Sequence, residues 1–508
     1  MGSAIPSICN AKQTAKSDGK LSLLRGKRLG RMDSEAAAFT ASVDRDRPLL
    51  EAVIAINAAH LVSLAKNGVV DPKDAASILS SLRSAPTDLE FDTSLEDVHM
   101  NVEQYVSKKA GEAGGFLNLG KSRNDQVCTA LRIVTRSELL KVVDAILELV
   151  ESLIDVAAEN TEVRMPGYTH LQVAQPTTVA HHLLNYAGAL LRDVQRLADC
   201  YKRVNLSPMG SAAFSGTTVP VDRDGVARLL GFDGIIENSM DAVSSRDFIL
   251  EFLSGALLTQ LDLSRMAEDL IFYSSQEASY VDQPDDLSST SSIMPQKKNA
   301  VVLEIIRAKA GTILGLFTSA ATIVKGLPQS YNLDLQEMNS YVWMASSDLI
   351  KSLKLMSKVV RKTKYRKDRL ERGAASGFSV AAELAEYLTL KHNIPFRKAH
   401  HIVGAVASNL PSIYTFEDIK KMLVKEAKNQ GVRLDLSKLP SSYDPSTSVR
   451  SKKSLGSPNP LHVKLMMNHM RKEMKDAAGW ARQRALSIDR ASSVLAKESN
   501  NIIKEVRK

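Results

Sequence analysis

The sequence predicts an all-α protein in which three helical domains are organised around a central bundle of long helices. From residue 49 onward, apolar residues recur at steps of three and four, which is the spacing of one face of a helix. Polar stretches rich in Gly, Pro, Ser and Thr separate the longest periodic segments and predict loops at the ends of the bundle. Four long segments keep the helical spacing without a proline: Ser122–Glu159, Thr177–Val204, Ser244–Tyr273 and Ala300–Lys325.

The first residues predict a basic arm. Residues 1–32 contain seven lysines and arginines against one acid, Asp18. This composition is also that of an organelle transit peptide, but no clear amphipathic period accompanies it. A secretory signal would need an apolar core that this segment does not have, and Pro6 stands where N-myristoylation requires Ser or Thr. We predict a flexible arm over residues 1–23.

Residues 24–120 predict an N-terminal helical domain. Asp71 and Pro72 open one of its helices, because proline suits the first turn of a helix. The other predicted elements are a helix at Leu49–Lys66 that stops near Gly68, a loop at 86–97 and a short helix at Val98–Ala110.

Residues 121–370 contain the four long segments and predict the central bundle. A helix of about 27 residues is about 40 Å long. These helices are apolar on more than one face, as Ile305, Ile306 and Ile313 illustrate, so they need cover on several sides. We therefore expect the bundle to oligomerise.

Residues 371–508 predict a C-terminal helical domain. Residues 376–406 have the spacing of two short helices. Residues 430–461 are rich in Ser, Pro and Lys and predict a long loop, and an amphipathic helix closes the chain.

The composition excludes several classes of protein. Of the 508 residues, 44% are apolar and 24% charged, which rules out disorder throughout the chain. No stretch approaches the ~20 uncharged apolar residues that cross a bilayer. The three cysteines are far apart and odd in number, so a disulfide scaffold is not expected. A reducing compartment, and hence a cytoplasmic location, is the prediction.

The net charge of +9 is compatible with nucleic acid, anionic lipid or an anionic small substrate, and equally with a merely soluble surface. Aromatic residues make up only 5%, and the glycine-aromatic basic signature of an RNA-recognition fold is missing, so nucleic acid is a weak alternative. The adjacent pairs His181-His182 and His400-His401 would point apart on a helix, and there is no glycine-rich phosphate loop. The sequence predicts no metal and no organic cofactor.

The polar segment Asp286–Asn299, DLSSTSSIMPQKKN, is the first candidate for chemistry. Hydroxyl, amide and ammonium groups suit a substrate that bears carboxylates. The long helix that follows adds first-turn amides and its positive dipole end. A serine-rich loop alone is more often a simple polar linker, so composition does not decide its role.

The complete string SSIMPQKKN resembles the signature loop of the fumarase/aspartase superfamily, whose members eliminate across a bond to release fumarate. Within that superfamily, SRNDQV at Ser122–Val127 and MPGYTHLQVAQP at Met165–Pro176 resemble argininosuccinate lyases. The resemblance runs in unbroken order from about Leu24 to Pro460. Further matching segments are Glu96–Met100, Asn238–Ala242, Arg246-Asp247, Ser264–Leu270, Gly326–Pro328, Tyr331-Asn332, Asp334–Glu337, Gly377–Ser379, Phe396-Arg397 and Ala399–Gly404.

The resemblance implies a reaction and a set of catalytic residues. In the family, argininosuccinate is split reversibly into arginine and fumarate, the last step of arginine biosynthesis. Ser291 matches the serine base, and a serine hydroxyl needs a cationic, water-excluded neighbourhood to ionise. Lys297 matches the lysine that supplies this charge and holds the aci-carboxylate. His170 and its partner Glu304 match the pair that handles the proton of the leaving group.

The resemblance also implies substrate contacts. Arg123 can grip a carboxylate through two parallel donors. Ser122 and Asn124 stand at a predicted helix start, where an N-cap is a competing role. The substrate contacts carried over are Ser42, Arg123, Asn124, Thr169, Asn299, Tyr331 and Gln336.

The chain departs from the family pattern at three places. Asn118-Leu119-Gly120-Lys121 replaces the usual His-Thr-Gly-Arg, and Ala300 replaces a proline. Asn339 stands where a lysine commonly contacts the arginine half, so this position keeps hydrogen-bonding groups but loses a positive charge.

The family assembles as a homotetramer in which three subunits build each site. The long helices agree with a shared site, because the motif segments should lie at opposite ends of them. In particular, Thr169–His170 and Ser291 should be hard to join within one straight bundle.

Three alternatives stay open. The chain could be another superfamily lyase, such as an adenylosuccinate or aspartate ammonia lyase. It could be a catalytically silent structural relative, as crystallins of this fold are. It could also be a basic nucleic-acid binder, which a steep loss of binding with salt would reveal.

Overall fold

Helices make up most of the chain, and the all-α class is confirmed. The computed structural model describes residues 32–411 and 414–506, so the predicted basic arm at 1–23 lies outside the described residues. The helices are α1 (Ser34–Thr40), α2 (Leu50–Lys66), α3 (Pro72–Arg83), α4 (Val98–Ala110), α5 (Arg123–Glu159), α6 (Val179–Val204), α7 (Arg223–Leu229), α8 (Ser239–Ser244), α9 (Asp247–Ser274), α10 (Val301–Val324), α11 (Tyr341–Lys362), α12 (Lys367–Ala375), α13 (Ala381–His392), α14 (Phe396–Asn409), α15 (Phe416–Asn429), α16 (Pro445–Ser451) and α17 (Pro460–Glu505).

Short strands occur only in pairs within the described part of the chain. The longest pair, β1 with β2, is an antiparallel hairpin between α5 and α6, in a segment whose composition had predicted only a polar, irregular loop. The strands are β1 (Arg164–Thr169), β2 (Gln172–Thr178), β3 (Leu206–Ser207), β4 (Gly234–Ile235), β5 (Val281–Asp282), β6 (Ser289–Thr290), β7 (Lys298–Asn299) and β8 (Lys364–Tyr365).

The central bundle consists of α5, α6, α9, α10 and α11, which pack along one another. Arg132, near the start of α5, donates to the backbone oxygen of Arg203 near the end of α6 at 2.6 Å, so these two helices are antiparallel. Tyr186 near the start of α6 donates to Asp269 near the end of α9, at 2.6 Å, so α9 runs with α5. The bundle therefore has an end A, where α5 begins, and an end B, where α5 finishes.

The two remaining helices follow the same alternation. Gln260 of α9 donates to the backbone oxygen of Ile306, near the start of α10, at 2.7 Å. Near end A, the hydroxyl groups of Ser319 in α10 and Tyr341 in α11 lie 3.0 Å apart. The loop from α9 to α10 is thus at end B, and the segment from α10 to α11 is at end A.

The apolar core is continuous through the N-terminal helices and the bundle. The segment Arg47–Lys66, which is α2 with the turn before it, has the length and the apolar composition of a membrane-spanning helix. It thus comes closer to such a helix than the sequence predicted. Of the most apolar window in this helix, 67% is buried inside the protein, as in a core helix.

The last part of the chain separates into two structures. Residues of α13, α14 and α15 form a second, smaller hydrophobic cluster. α17 instead returns to the bundle, where the rings of Trp480 and Tyr201 in α6 meet edge to face at 5.6 Å. Arg484 of α17 also pairs with Asp233 at 3.1 Å. The domain boundaries near residues 120 and 370 stay a prediction.

Candidate active site

The segment that contains Ser291 is a loop closed by a two-stranded ribbon. Ser289 pairs with Asn299 and Thr290 with Lys298, so β6 and β7 hold residues 291–297 at end B. The Ser291 hydroxyl oxygen accepts the backbone N–H groups of Ile293 at 3.2 Å and Met294 at 3.1 Å. Two donors on one oxygen favour its negatively charged form, which is what a serine base requires.

The two lysines of the loop have different surroundings. Lys298 is tied to the root of the loop: its Nζ lies 3.0 Å from Asp282 and 2.6 Å from Asp285, and it donates to the backbone oxygen of Gln283. Lys297 is exposed, and no ion pair is formed by it in the described chain. Lys298 therefore fixes the ribbon, whereas the charge of Lys297 is available to a ligand.

Thr169 and His170 lie at the tip of the β1–β2 hairpin. Thr169 pairs with Gln172, which leaves His170 and Leu171 as a two-residue turn. Both turn residues have left-handed backbones, with φ of 54° and 58°. This is the pattern of a type I′ turn, which glycine or asparagine usually fills. The exposed tip thus has local strain of the kind that collects at functional sites.

A glycine in β1 permits the shape of this hairpin. The pairing of the strands shifts between Pro166 and Tyr168. A Cβ atom on Gly167 would lie 2.6 Å from the backbone oxygen of Gln175 in β2. Any other residue would push the two strands apart at this bulge.

Ser42 lies at end A, two residues after the end of α1. Its buried hydroxyl donates to Asp46 at 2.7 Å, and the backbone N–H of Val98 donates to the same carboxylate oxygen at 3.3 Å. Burial raises the pKa of Asp46 to about 6, against the opposing effect of these two hydrogen bonds. Ser42 therefore presents a hydroxyl whose proton is already committed to a carboxylate.

Arg123, the first residue of α5, is paired with acids of its own chain. Its Nε lies 3.2 Å from Asp97, and its Nη2 lies 3.9 Å from Glu103. Burial raises the pKa of Asp97, and the Arg123 guanidinium opposes that rise. A substrate carboxylate at Arg123 would share the guanidinium with Asp97.

The start of α5 is fixed by a capping box. The Ser122 hydroxyl accepts the N–H of Asn124 at 3.4 Å, and Asp125 accepts the N–H of Ser122 at 3.0 Å. The N-cap role considered for Ser122 is thus confirmed. The other oxygen of Asp125 accepts the N–H groups of Gly210 and Ala212, which draws that loop onto the helix start.

The side-chain amide of Asn124 reaches the same loop. It donates to the backbone oxygen of Ala213 at 2.9 Å, so Asn124 is not the cap itself. Ala212 has a left-handed backbone with φ of 50°. Asp125 is fully buried, and burial raises its pKa to about 6.

The segment between α10 and α11 contributes Tyr331 and Gln336 to end A. The amide of Gln336 donates to the backbone oxygen of Thr40 at 2.9 Å, which connects this segment to α1. Asn339, three residues further, is buried, and its side-chain oxygen has no hydrogen-bond partner within the described chain. The replacement of lysine by asparagine therefore leaves an unpaired acceptor.

Lys121 marks another departure from the family pattern. It follows Gly120, whose φ is 74°, and its ammonium group donates to the side-chain oxygen of Asn57. Burial lowers the pKa of Lys121 to about 7, although Asp125 and Glu103 oppose this effect. Lys121 therefore connects the start of α5 to α2.

One residue that the sequence analysis did not assign stands out at end A. Arg246 is 2% exposed, and its Nη1 donates to the backbone oxygens of Val243 and Ser245 and to the sulfur of Cys128. Its Nε and Nη2 are buried without a partner in the described structure. The positive charge of Arg246 opposes the effect of burial, which raises the pKa of the Tyr331 phenol. A buried cation with two unused donors is suited to an anion.

The candidate residues thus form two groups. Thr169 and His170 lie at end B with Ser291, so the length of the bundle does not separate them, in contrast to the expectation that they would be hard to join. The residues at end A are the ones that lie far from Ser291, because α5, which connects the two ends, has 37 residues and is about 55 Å long. The end A group is Ser42, Arg123, Asn124, Tyr331 and Gln336, and the end B group is Thr169, His170, Ser291, Lys297, Asn299 and Glu304.

Glu304 lies in the first turn of α10 and is exposed, as is the neighbouring Ile305 at 61%. No hydrogen bond joins Glu304 to His170 within the described chain. Over the same residues, no group of three or more His, Cys, Asp or Glu side chains could hold a metal ion.

Comparison with known proteins identifies the class. Residues 26–315 match the profile of the family described as lyase. A solved EDDS lyase variant with bound fumarate superposes with a TM-score of 0.84 at 26% identity, over 94% of this chain and 97% of that chain. A class II fumarase from Schistosoma mansoni shares the fold, with a TM-score of 0.69 at 18% identity over 81% and 94% of the two chains. The fold and the serine loop thus define a lyase of the fumarase/aspartase superfamily.

The sequence comparison is more specific. Residues 378–449 match the profile described as argininosuccinate lyase C-terminal. The argininosuccinate lyase of Methanothrix thermoacetophila is 41% identical over 472 residues, which cover 92% of this chain and 97% of the relative. That of Methanosarcina barkeri is 39% identical over 459 residues, covering 89% and 93%. The chain belongs to the argininosuccinate lyase family.

Proposed function

We propose that this protein catalyses the reversible β-elimination of argininosuccinate to L-arginine and fumarate, the last step of arginine biosynthesis. The observation that carries the proposal is the 41% identity to an argininosuccinate lyase over 97% of that enzyme's length. The geometry of the serine loop supports it, because Ser291 already receives two backbone donors. The free, buried Cys128 and Cys200 agree with a reducing, cytoplasmic location.

The proposed base is Ser291. Its alkoxide removes a proton from the carbon beside a carboxylate of the succinate half, and the electron pair moves into that carboxylate. The N–H groups of Ile293 and Met294 stabilise the alkoxide before the step. Lys297 is exposed and forms no ion pair with the residues that the structure describes, so it can approach the doubly charged aci-carboxylate when the loop closes. Asn299, at the root of the loop, offers an amide donor.

The carbon–nitrogen bond then breaks, which yields fumarate and the guanidino group of arginine. The leaving nitrogen needs a proton, and His170 is the proposed source, because imidazole exchanges protons near neutral pH. His170 stands in the exposed, left-handed turn at the tip of the hairpin. Glu304 is the proposed partner of His170 from a neighbouring copy, since no hydrogen bond joins the two within one described chain.

The substrate is held mainly by end A. Arg123 and Asn124 would receive a carboxylate of the succinate half, with Thr169 contributed from end B. Tyr331, Gln336 and Ser42 would line the arginine half. Arg246 adds two unused buried donors that suit a carboxylate.

A complete site then requires more than one copy of the chain. End A and end B are separated by the length of α5, about 55 Å. Ser291 therefore cannot reach a ligand at Arg123 of its own chain. We propose a homotetramer whose sites combine end A of one copy with the hairpin and serine loop of others.

The principal alternative is another fumarate-releasing lyase of the superfamily, such as an adenylosuccinate lyase, and a catalytically silent relative is the second. Asn339 supports the first alternative, because it departs from the family at the arginine half and its side-chain oxygen has no partner within the described chain. The exposed Lys297 and the donors on Ser291 favour activity over silence.

One assay decides among these functions. Purified protein is mixed with argininosuccinate or adenylosuccinate, and fumarate is followed by its ultraviolet absorbance. We expect turnover of argininosuccinate, and losses on the order of 10²–10⁴-fold in kcat for Ser291→Ala and His170→Asn with the oligomer preserved. Ser292→Ala, the adjacent exposed serine, is the matched control. Turnover of adenylosuccinate alone would contradict the substrate, and wild-type rates in both variants would contradict the site.

A further inference from the structure

A buried carboxylate of the C-terminal helices contacts the hairpin that contains His170. Glu383 of α13 is 2% exposed. Its Oε1 accepts Nε2 of Gln175 in β2 at 3.2 Å and the hydroxyl of Ser448 in α16 at 2.7 Å. The ammonium group of Lys452, just after α16, is its ion-pair partner. Through this one oxygen atom, α13 is joined to β2 and to α16, which are far apart in the sequence.

The other oxygen of this carboxylate has no partner. Glu383 Oε2 is buried and accepts no hydrogen bond within the described chain. A buried charge with half of its acceptor capacity unused costs stability compared with an apolar side chain of similar size. The carboxylate therefore contributes through the segments that it holds together, and not through its own burial.

The contact reaches the hairpin between its root and its tip. The root is held independently, because Arg164 Nε lies 2.8 Å from Glu371. Gln175 lies beside the bulge at Gly167, where its backbone oxygen leaves no room for a Cβ atom. Three residues earlier in β2, toward the tip, Gln172 pairs with Thr169 at the turn. Glu383 thus restrains the part of β2 that determines where the tip points.

We infer that Glu383 is a positioning residue for the reaction: through Gln175 it fixes the orientation of the strained turn that presents His170. The inference rests on the proposed function, in which His170 supplies the proton of the leaving group. The turn itself is exposed and has two left-handed residues, so its orientation depends on the strands beneath it. Misplacement of a catalytic group by about 1 Å can cost on the order of 10²-fold in rate.

Gln175 provides a variant that spares the fold. Its side chain is exposed and, among the described residues, makes one hydrogen bond, to Glu383. Gln175→Ala or Gln175→Leu therefore removes the contact without opening the core. We expect kcat for argininosuccinate to fall on the order of tenfold in both variants, with a smaller change in KM. The thermal midpoint should fall only slightly, because Glu383 keeps its contacts with Ser448 and Lys452. The pH dependence of kcat should also shift, because the proton donor is misplaced.

Two comparisons test the route through Gln175. In Glu383→Ala, the further change Gln175→Ala should not lower kcat again, because both remove the same contact. Glu162→Gln is the matched control: it breaks an exposed ion pair with Arg450 of α16 just before the hairpin begins, and kcat should stay at the wild-type value.

The outcomes separate this inference from the proposed function. Wild-type kcat and pH dependence in Gln175→Ala would overturn the positioning role, and so would losses that follow only the thermal midpoint. If Glu383→Ala does not fold, Gln175→Ala and Gln175→Leu still decide the matter. A wild-type protein without argininosuccinate turnover, or His170→Asn with unchanged turnover, would overturn the proposed function and the inference with it.

Discussion

The hydroxyl groups of Tyr168 and Tyr280 lie 2.9 Å apart and share a hydrogen bond. Tyr168 lies in β1, two residues before the hairpin turn, and Tyr280 directly precedes the segment that leads to the serine loop. The ring of Phe272 meets Tyr168 edge to face at 5.3 Å, and a Cβ atom on Gly373 would lie 2.7 Å from the Tyr280 hydroxyl. The two catalytic segments of end B therefore share one support.

We expect Tyr168→Phe and Tyr280→Phe each to lower the free energy of unfolding by about 1–2 kcal/mol, because each leaves a partly buried hydroxyl unpaired. The double variant should be no less stable than either single one, since both hydroxyl groups are then gone. Urea unfolding of the three variants provides the measurement. Additive losses would show that the two hydroxyl groups do not depend on each other.

Mixing two inactive variants should restore activity. Ser291→Ala disables end B, and Asn124→Ala disables end A. If each site combines ends from different copies, subunit exchange between the two proteins creates some sites with both ends intact. Fumarate formation should then exceed that of either parent protein after brief unfolding and refolding together. A mixture no more active than its parents would contradict shared sites.

The strain of the hairpin turn can be measured at Leu171. A left-handed backbone costs a non-glycine residue about 1–2 kcal/mol, and glycine removes this cost. The larger conformational entropy of glycine in the unfolded chain offsets part of the resulting stabilisation. Leu171→Gly should therefore raise the free energy of unfolding by roughly 0.5–1 kcal/mol. Because Leu171 is 75% exposed, Leu171→Ala keeps the strain and should leave stability unchanged. A glycine variant less stable than the alanine variant would refute the strain.

Asp193 in α6 predicts a specific pH dependence. It is 1% exposed; burial, and to a lesser extent Asp262, raise its pKa to about 7, while a hydrogen bond from Arg196 lowers it. The folded protein then binds a proton that the unfolded chain releases near pH 4. This residue's contribution makes the free energy of unfolding decrease as pH rises from about 4 to about 7, after which the penalty is constant.

Asp193→Asn should remove this decrease and make the protein more stable at pH 8 than the wild type. Chemical unfolding at pH 5 and pH 8 measures the difference. Asp199→Asn, an exposed position on the same helix, serves as the control and should keep the wild-type pH dependence. An asparagine variant with the wild-type slope would show that Asp193 titrates normally.

The helices were predictable from the sequence because periodicity and capping are local. The long segments predicted at Ser122–Glu159 and Ala300–Lys325 correspond to α5 and α10 within one residue at each end. The β1–β2 hairpin was not predicted, because its turn has His170 and Leu171 where glycine or asparagine normally signals a hairpin. The tertiary contacts of this segment override its local preference.

The catalytic residues were named through their motif, and their environments required the fold. That Lys298 is bound to the loop root while Lys297 is exposed cannot be read from two adjacent lysines. The unused donors of Arg246 became visible only when its burial and contacts were known. Sequence motifs define which groups are present, whereas packing defines which of them are still available to a ligand.

The length of α5 has a consequence for tolerance to insertion. In the proposed assembly this helix fixes the spacing between neighbouring reaction centres, since its two termini serve different ones. Adding seven residues, two turns or about 10.5 Å, to its middle would preserve every motif and every cap while displacing the partners of each centre from one another. Natural variation in chain length should therefore be confined to surface connections and excluded from this helix.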